Sequence, residues 1–437
     1  MKSKLRFSLL VLVLLSLGSE AQGQVKPFWT TLSAKGFTQR QGLTASLFNG
    51  KIYTIGGVLY PWFKENLVEV YNPTTDLWST PKTIGRCPPH YAHTANVVGS
   101  KIYIIGGVQG LSIYDDTVWV FNPIDNSWSL DTIMDEGNAP HPGLINSTSC
   151  VIGDSIYVFG GVDLGGSFSS TVQIYDTKRH RWSFMPQTAD SMRTVTTPKS
   201  FLVGDKMYVV GLPGIANGQP EDTACHCTVQ VYDPVTNRWR WPSTDTMRFP
   251  RFAFVGESYT TPKHQTQIRL IGGISYNGGN DPPKTDTYDT LFRKWGQELP
   301  DGEFTVRIGA ASCLIGDKIY VIGGVFGRGA TDTSLNQVLT IPQLQSVENG
   351  FDKIFYYSRI YPNPATTTLN IVSVEVGTPF KILDILGREA MIGKTLDNAT
   401  LTVDISNLST GFYYVLVERA DMKGQYSIAG KLAVIGK

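Results

Sequence analysis

One pattern returns six times along the chain: a short apolar strand that ends in glycine. It reads Lys51-Ile-Tyr-Thr-Ile-Gly-Gly57, Lys101-Ile-Tyr-Ile-Ile-Gly-Gly107, Ser155-Ile-Tyr-Val-Phe-Gly-Gly161, Lys206-Met-Tyr-Val-Val-Gly-Leu212, Ile268-Arg-Leu-Ile-Gly-Gly273 and Lys318-Ile-Tyr-Val-Ile-Gly-Gly324. The first glycines stand at 56, 106, 160, 211, 272 and 323, so successive units are 50, 54, 51, 61 and 51 residues long. A period near 50 demands an architecture of stacked units. Five units carry a second signal, an aromatic followed seven residues later by tryptophan: Tyr71 and Trp78, Phe121 and Trp128, Tyr175 and Trp182, Tyr232 and Trp239, Tyr288 and Trp295. Asn-Pro, Asp-Pro or Asp-Thr follows each aromatic, which predicts two strands joined by a tight turn.

The order of double glycine, aromatic and spaced tryptophan resembles the kelch family over roughly residues 25 to 345. That resemblance implies an all-β fold, a six-bladed β-propeller with four strands per blade. The sixth unit offers Asn336-Gln-Val-Leu-Thr-Ile341 and then no tryptophan, while Pro27-Phe-Trp-Thr-Thr-Leu32 carries an orphan one. The strand around Trp29 is therefore expected to complete the last blade and close the ring, removing open sheet edges. The fourth unit inserts Pro213 to Thr223 and the fifth lengthens its hairpin with Gly256 to Gln267.

The chain begins with Lys2, Lys4 and Arg6, an apolar run from Phe7 to Leu17, and then small residues. This is the plan of a signal peptide over 1–23, cleaved after Ala21 or Gly23, and too short for a membrane span. The propeller is assigned to 24–341 and a linker to 342–358. Residues 359–437 resemble the type IX (Por) sorting domain, through Tyr361-Pro362-Asn363-Pro364, Ile382-Leu-Asp-Ile-Leu-Gly387-Arg388, Val403-Asp404-Ile-Ser-Asn-Leu-Ser-Thr-Gly411 and Lys431-Leu-Ala-Val434. Their alternation predicts a small antiparallel β-sandwich. The resemblance implies passage through the periplasm of a Gram-negative bacterium, recognition by the type IX machinery, and release or display at the outer surface.

Lys and Arg number 38 against 37 Asp and Glu, which leaves no field to attract nucleic acid. Five cysteines are an odd count, and Cys225-His226-Cys227 lacks the second ligand pair of a zinc site. No cofactor or metal is expected. Kelch proteins commonly bind at the channel mouth, and the segments entering each blade carry Arg40, Arg86, His90, His93, Arg193, Arg248, Arg251 and Arg307. Arg40, His90 and Arg307 share one register, each 16 residues before its first glycine. Such a ring could receive the carboxylates of a glycan or peptide; alternatively, the arginines tie blades together through carbonyls. The expectation is thus an exported binding module for a glycan or protein ligand. The alternatives are a sugar-modifying enzyme of the sialic acid epimerase or mutarotase kind, and a structural surface component.

Overall fold

The computed structural model describes residues 26–59, 67–85, 87–88, 90–109, 113–131, 143–163, 165–185, 192, 195–213, 215–216, 219–220, 228–241, 247, 251–261, 266–275, 285–326, 334–341, 359–361, 365–372, 379–384, 388–394, 400–418 and 426–434. Among these residues there is no helix. The chain divides into two compact units, 1–346 and 347–437.

The larger unit is an all-β propeller. Among its described residues lie six four-stranded antiparallel sheets. Sheet 1 is Thr44–Phe48, Lys51–Ile55, Val68–Asn72 and Leu77–Ser79; sheet 2 is Thr94–Val98, Lys101–Ile105, Val118–Asn122 and Ser127–Leu130; sheet 3 is Thr148–Ile152, Ser155–Phe159, Gln173–Asp176 and Arg181–Phe184. Sheet 4 is Val195–Val203, Lys206–Pro213, Thr228–Asp233 and Arg238–Arg240; sheet 5 is Val255–Thr260, Thr266–Ile271, Thr285–Asp289 and Lys294–Glu298. Sheet 6 is Ala311–Ile315, Lys318–Ile322, Asn336–Thr340 and, from the other end of the unit, Phe28–Leu32. Each sheet's first strand neighbours the first strand of the next, and that of sheet 6 neighbours that of sheet 1. The first strands therefore enclose a central channel.

The recurring residues explain why this chain folds so. The Asn or Asp after each aromatic accepts the amide two residues on: Asn72 from Thr74 at 3.0 Å, Asn122 from Ile124 at 3.1 Å, Asp176 from Lys178 at 3.0 Å, Asp233 from Val235 at 3.0 Å and Asp289 from Leu291 at 2.9 Å. That turn sets aromatic directly opposite tryptophan, as in Tyr71 and Trp78. In five sheets the two rings lie 5.0–5.1 Å apart, worth about 0.5–1.5 kcal/mol per pair beyond area burial. In sheet 6 Trp29 lies opposite Leu339.

A second aromatic series fills the wedges between sheets. The second-strand tyrosine of one sheet meets the third-strand aromatic of the next: Tyr53 and Phe121 at 6.2 Å, Tyr103 and Tyr175, Tyr157 and Tyr232, and Tyr208 and Tyr288 at 6.4 Å, and Tyr320 and Tyr71 at 5.9 Å. Between sheets 5 and 6 those positions hold Arg269 and Leu339 instead.

The smaller unit pairs Arg359–Tyr361, Thr368–Val372 and Thr400–Asp404 in one sheet, and Glu389–Lys394, Pro379–Asp384, Gly411–Glu418 and Tyr426–Val434 in another. Leu369, Phe380, Ile382, Val403, Val415 and Leu432 form its core. Within the sorting motif, Tyr361 lies opposite Asn370 in its strand, Asp404 accepts the Ser406 amide at 2.8 Å, Gly411 lies opposite Val434, and Lys431 opposite Tyr414. Pro362, Asn363, Pro364 and Gly387 lie outside the described residues.

Candidate functional site at the channel mouth

The backbone takes a left-handed turn near the start of every channel-lining strand, two residues before it in five sheets and at the bulge inside Val195–Val203 in sheet 4. Gly42, Ala92, Asn146, Thr197, Ala253 and Gly309 have φ of 67°, 57°, 54°, 39°, 54° and 64°. Neighbouring turns bond to one another: Gly42 N–H donates to Gly309 O at 2.7 Å, Ala92 N–H to Gly42 O at 3.0 Å, Asn146 N–H to Ala92 O at 3.0 Å, and Ala253 N–H to Thr197 Oγ1 at 3.1 Å. Together they make a collar around one end of the channel. A left-handed backbone costs an L-residue roughly 1–2 kcal/mol, and such strain is concentrated at ligand clamps and active sites.

The double glycines support this collar. Gly324 N–H donates to Arg40 O at 2.9 Å, Gly57 N–H to His90 O at 2.8 Å and Gly107 N–H to Leu144 O at 2.8 Å, each crossing to the next sheet. A Cβ on Gly106 would lie 2.5 Å from Leu144 O, and one on Gly323 would lie 2.7 Å from Arg40 O. Glycine is required because the neighbouring loop passes through the space a side chain would fill.

The five of these cations that lie among the described residues turn inward beneath the collar. Arg40, His90, His93, Arg251 and Arg307 are all buried. Arg40 donates from Nε to Gly56 O at 2.7 Å, from Nη1 to Thr38 O at 2.8 Å and to Glu69, and from Nη2 to Thr54 Oγ1 at 2.9 Å. Glu69 also accepts the Thr38 amide and hydroxyl. His90 sits between Pro88 O, at 2.6 Å from Nδ1, and the carboxylate of Asp115, and Arg251 pairs with Asp286. Burial pulls the Arg40 guanidinium below its ordinary range while Glu69 opposes the shift; Asp115 lies below the usual carboxylate range, where hydrogen bonds from His90 and Thr117 outweigh its burial.

Among the described residues, two of the five have no acidic partner. Arg307 donates to Thr305 O at 2.9 Å, Gln337 Oε1 at 2.7 Å and Val321 O at 2.9 Å; its Nε has no partner among the described residues, and burial lowers its pKa to about 10. His93 Nε2 meets Thr44 Oγ1 at 3.0 Å and its Nδ1 has no partner among the described residues. Burial first, then His90, pushes its pKa down to about 3, so the ring is neutral. Arg86, Arg193 and Arg248 lie outside the described residues.

Arg251 holds the same place in sheet 5 as Arg40, His90 and Arg307 in theirs, two residues before the collar. The count of 16 missed it because the longer hairpin puts it 272 − 251 = 21 residues before Gly272. The collar itself was also missed, since Ala92, Asn146, Thr197 and Ala253 share no residue type. Lys199, Glu257 and Arg269 went unnoticed too, although Arg269 stands where five units have tyrosine.

Residues 42–273 match the KLHDC2/KLHL20/DRC7 Kelch-repeats domain, more than half of the chain. The chain belongs to the kelch-repeat family. Over 196 residues this kelch protein is 30% identical to the N-(sulfonatooxy)prop-2-enimidothioate sulfolyase of Thlaspi arvense, covering 43% of this chain and 53% of that protein. It is 23% identical over 182 residues to Kelch domain-containing protein 3 of Bos taurus, covering 40% and 46%. It is 26% identical over 203 residues to alpha-scruin of Limulus polyphemus, covering 44% and 19%. The chain spans about half the length, or less, of these curated relatives. Residues 359–429 match the Secretion system C-terminal sorting domain, which marks this kelch protein for export by the type IX system to the cell surface or beyond.

Proposed function

We propose that this exported kelch protein is a binding module whose six blades present the collared channel mouth to a glycan or protein ligand. Supporting the reading is the collar of Gly42, Ala92, Asn146, Thr197, Ala253 and Gly309, four of them strained non-glycine residues held by inter-sheet hydrogen bonds. With Arg40 and His90 committed to Glu69 and Asp115, recognition falls to the exposed Asn146 and half-buried Gln41, Tyr91 and Phe252 beside the collar. Amides with aromatic rings suit the hydroxyls and faces of a sugar. The leader over 1–23 would deliver the chain to the periplasm, and the sorting domain would then hand it to the type IX machinery and be removed.

A glycan and peptide array probed with the exported protein tests the proposal. Binding weakened about tenfold by Asn146→Ala, with a cooperative melting transition showing that the variant is folded, is expected. Binding indifferent to that change would move the site away from the mouth.

The similarity to a sulfolyase favours a second reading, in which the channel hosts a reaction. Turnover of a bound sugar or sulfated compound by the exported protein, abolished with binding, would replace the first reading by this one.

A further inference from the structure

Sheets 4 and 5 break the repeat on the channel side. Opposite the residue before the first glycine, sheets 1, 2 and 3 have Thr44, Thr94 and Thr148; sheet 4 has Lys199. Opposite Tyr53, Tyr103, Tyr157, Tyr208 and Tyr320 lie Ser46, Asn96, Cys150, Phe201 and Cys313, whereas sheet 5 sets Glu257 opposite Arg269. The register shifts between Thr196 and Lys199, and between them Thr197, a β-branched residue, is held at φ 39°. A bulge re-aims the side chains beside it, and strain of this kind persists only where the surroundings enforce it.

Lys199 and Glu257 lie on adjacent channel-lining strands, and both residues are half-buried. Ser312, from the next such strand, donates to Glu257 Oε1 at 2.7 Å. Burial raises Glu257 to about 7 against the pull of Ser312 and Lys199; burial also lowers Lys199, and Glu257 opposes that shift. Among the described residues, the other titratable or charged groups beside Glu257 are Arg269 opposite it, Tyr259 two residues along its strand, and Cys313. Arg269 directs Nη2 to Tyr259 Oη at 2.9 Å, and the Cys313 thiol is held well above its usual range by burial and then by Glu257.

We infer that Lys199, Glu257 and Ser312 form a binding site inside the channel for a small carboxylate, which is held by the lysine ammonium and by a protonated Glu257. Coupled groups titrate as a pair. With one proton between them the pair is neutral whichever group holds it, and an incoming carboxylate is balanced only when both are protonated. Above pH 7, where the free pair holds one proton, binding therefore takes up a second. The site rests on the binding-module reading and deepens it by naming the ligand's class.

The test is calorimetry of the exported protein with glucuronate, with glucose as the neutral control, at pH 6, 7 and 8 and in buffers of different protonation heat. Glucuronate is expected to bind at pH 6 with little proton uptake, uptake rising toward one proton at pH 8, and to weaken by up to about tenfold per pH unit above 7, glucose binding at least about tenfold more weakly at pH 6. Lys199→Met should weaken glucuronate by about tenfold or more, Lys199→Arg should retain binding, and Glu257→Gln should bind without proton uptake. Melting curves confirm that each variant is folded. Equal binding of glucose, pH-independent binding in the native protein, unchanged binding in Lys199→Met, or no saturable glucuronate binding at pH 6 would overturn the site. Array binding that survives Lys199→Met would overturn it while leaving the binding-module reading intact.

Discussion

The ring of Trp29 stacks on that of Phe304, with centroids 4.3 Å apart and planes inclined by 28°. Trp78 meets Phe37 at 4.6 Å with the planes tilted by 42°, and each phenylalanine lies three residues before a buried arginine whose guanidinium covers it, Arg307 over Phe304 at 5.2 Å and Arg40 over Phe37 at 4.9 Å. The N-terminal strand thus brings to sheet 6 what sheet 1 carries locally. Trp29→Ala should destabilise the propeller by about 3–5 kcal/mol, the usual cost of truncating a buried aromatic. Urea unfolding followed by tryptophan fluorescence measures it. A loss below about 1 kcal/mol would mean that the strand is dispensable for closure.

Gly106→Ala and Gly153→Ala separate backbone strain from collision. Both glycines are left-handed, at φ 68° and 59°, but a Cβ on Gly153 meets nothing within 4 Å whereas one on Gly106 comes within 2.5 Å of Leu144 O. Gly153→Ala should cost about 1 kcal/mol, and Gly106→Ala a further 1–3 kcal/mol or so. Equal losses in thermal unfolding would mean that the loop bearing Leu144 can yield.

His93 makes the fold sensitive to acid. Its pKa falls from 6.5 unfolded to about 3 folded, so between those values the unfolded chain binds more protons and stability declines as pH drops. The loss approaches ~4 kcal/mol by pH 3. Glu257, raised from 4.5 to about 7, acts in the opposite sense: its contribution is complete below 4.5 and is lost as pH rises through 7. His93→Gln should therefore flatten the decline in urea midpoint between pH 7 and pH 4, and an unchanged slope would assign the acid sensitivity elsewhere.

Removal of residues 359–437 should strand a folded propeller in the periplasm. The two units have separate cores, Leu369, Ile382 and Val415 in one, Ile52, Tyr71 and Ile322 in another, so neither needs the other's apolar face. Fractionation with a melting curve on the retained protein checks this. Truncated protein reaching the medium in normal amounts would contradict the export route.

The all-β propeller was legible because its signals are steric. Double glycines mark where a neighbouring loop passes, and the Asn or Asp after each aromatic marks a turn, so residue type and backbone need coincide. The direction of a long side chain carries no such mark. Arg40 and His90 were legible as cations, but two residues on, a left-handed turn at Gly42 or Ala92 goes with their inward course, and only Gly42 announces itself by type. Lys199 and Glu257 were hidden for another reason: strand alternation separates faces but does not say which face meets water in a channel.

The pairing of Phe28–Leu32 with Asn336–Thr340 also sets the order in which the molecule can finish folding. The first described strand to be synthesised has its partner at the far end of the propeller, so it stays unpaired while the intervening sheets form against their immediate neighbours. Joining two such distant segments carries a large loop-closure entropy, which makes this the slow step. Until it happens, Asn336–Thr340 is an open sheet edge with bare amides and carbonyls, a place where a second chain or a chaperone can dock. The interval before ring closure is therefore when this protein is most exposed to aggregation, and also when it remains most readily unwound for passage across a membrane.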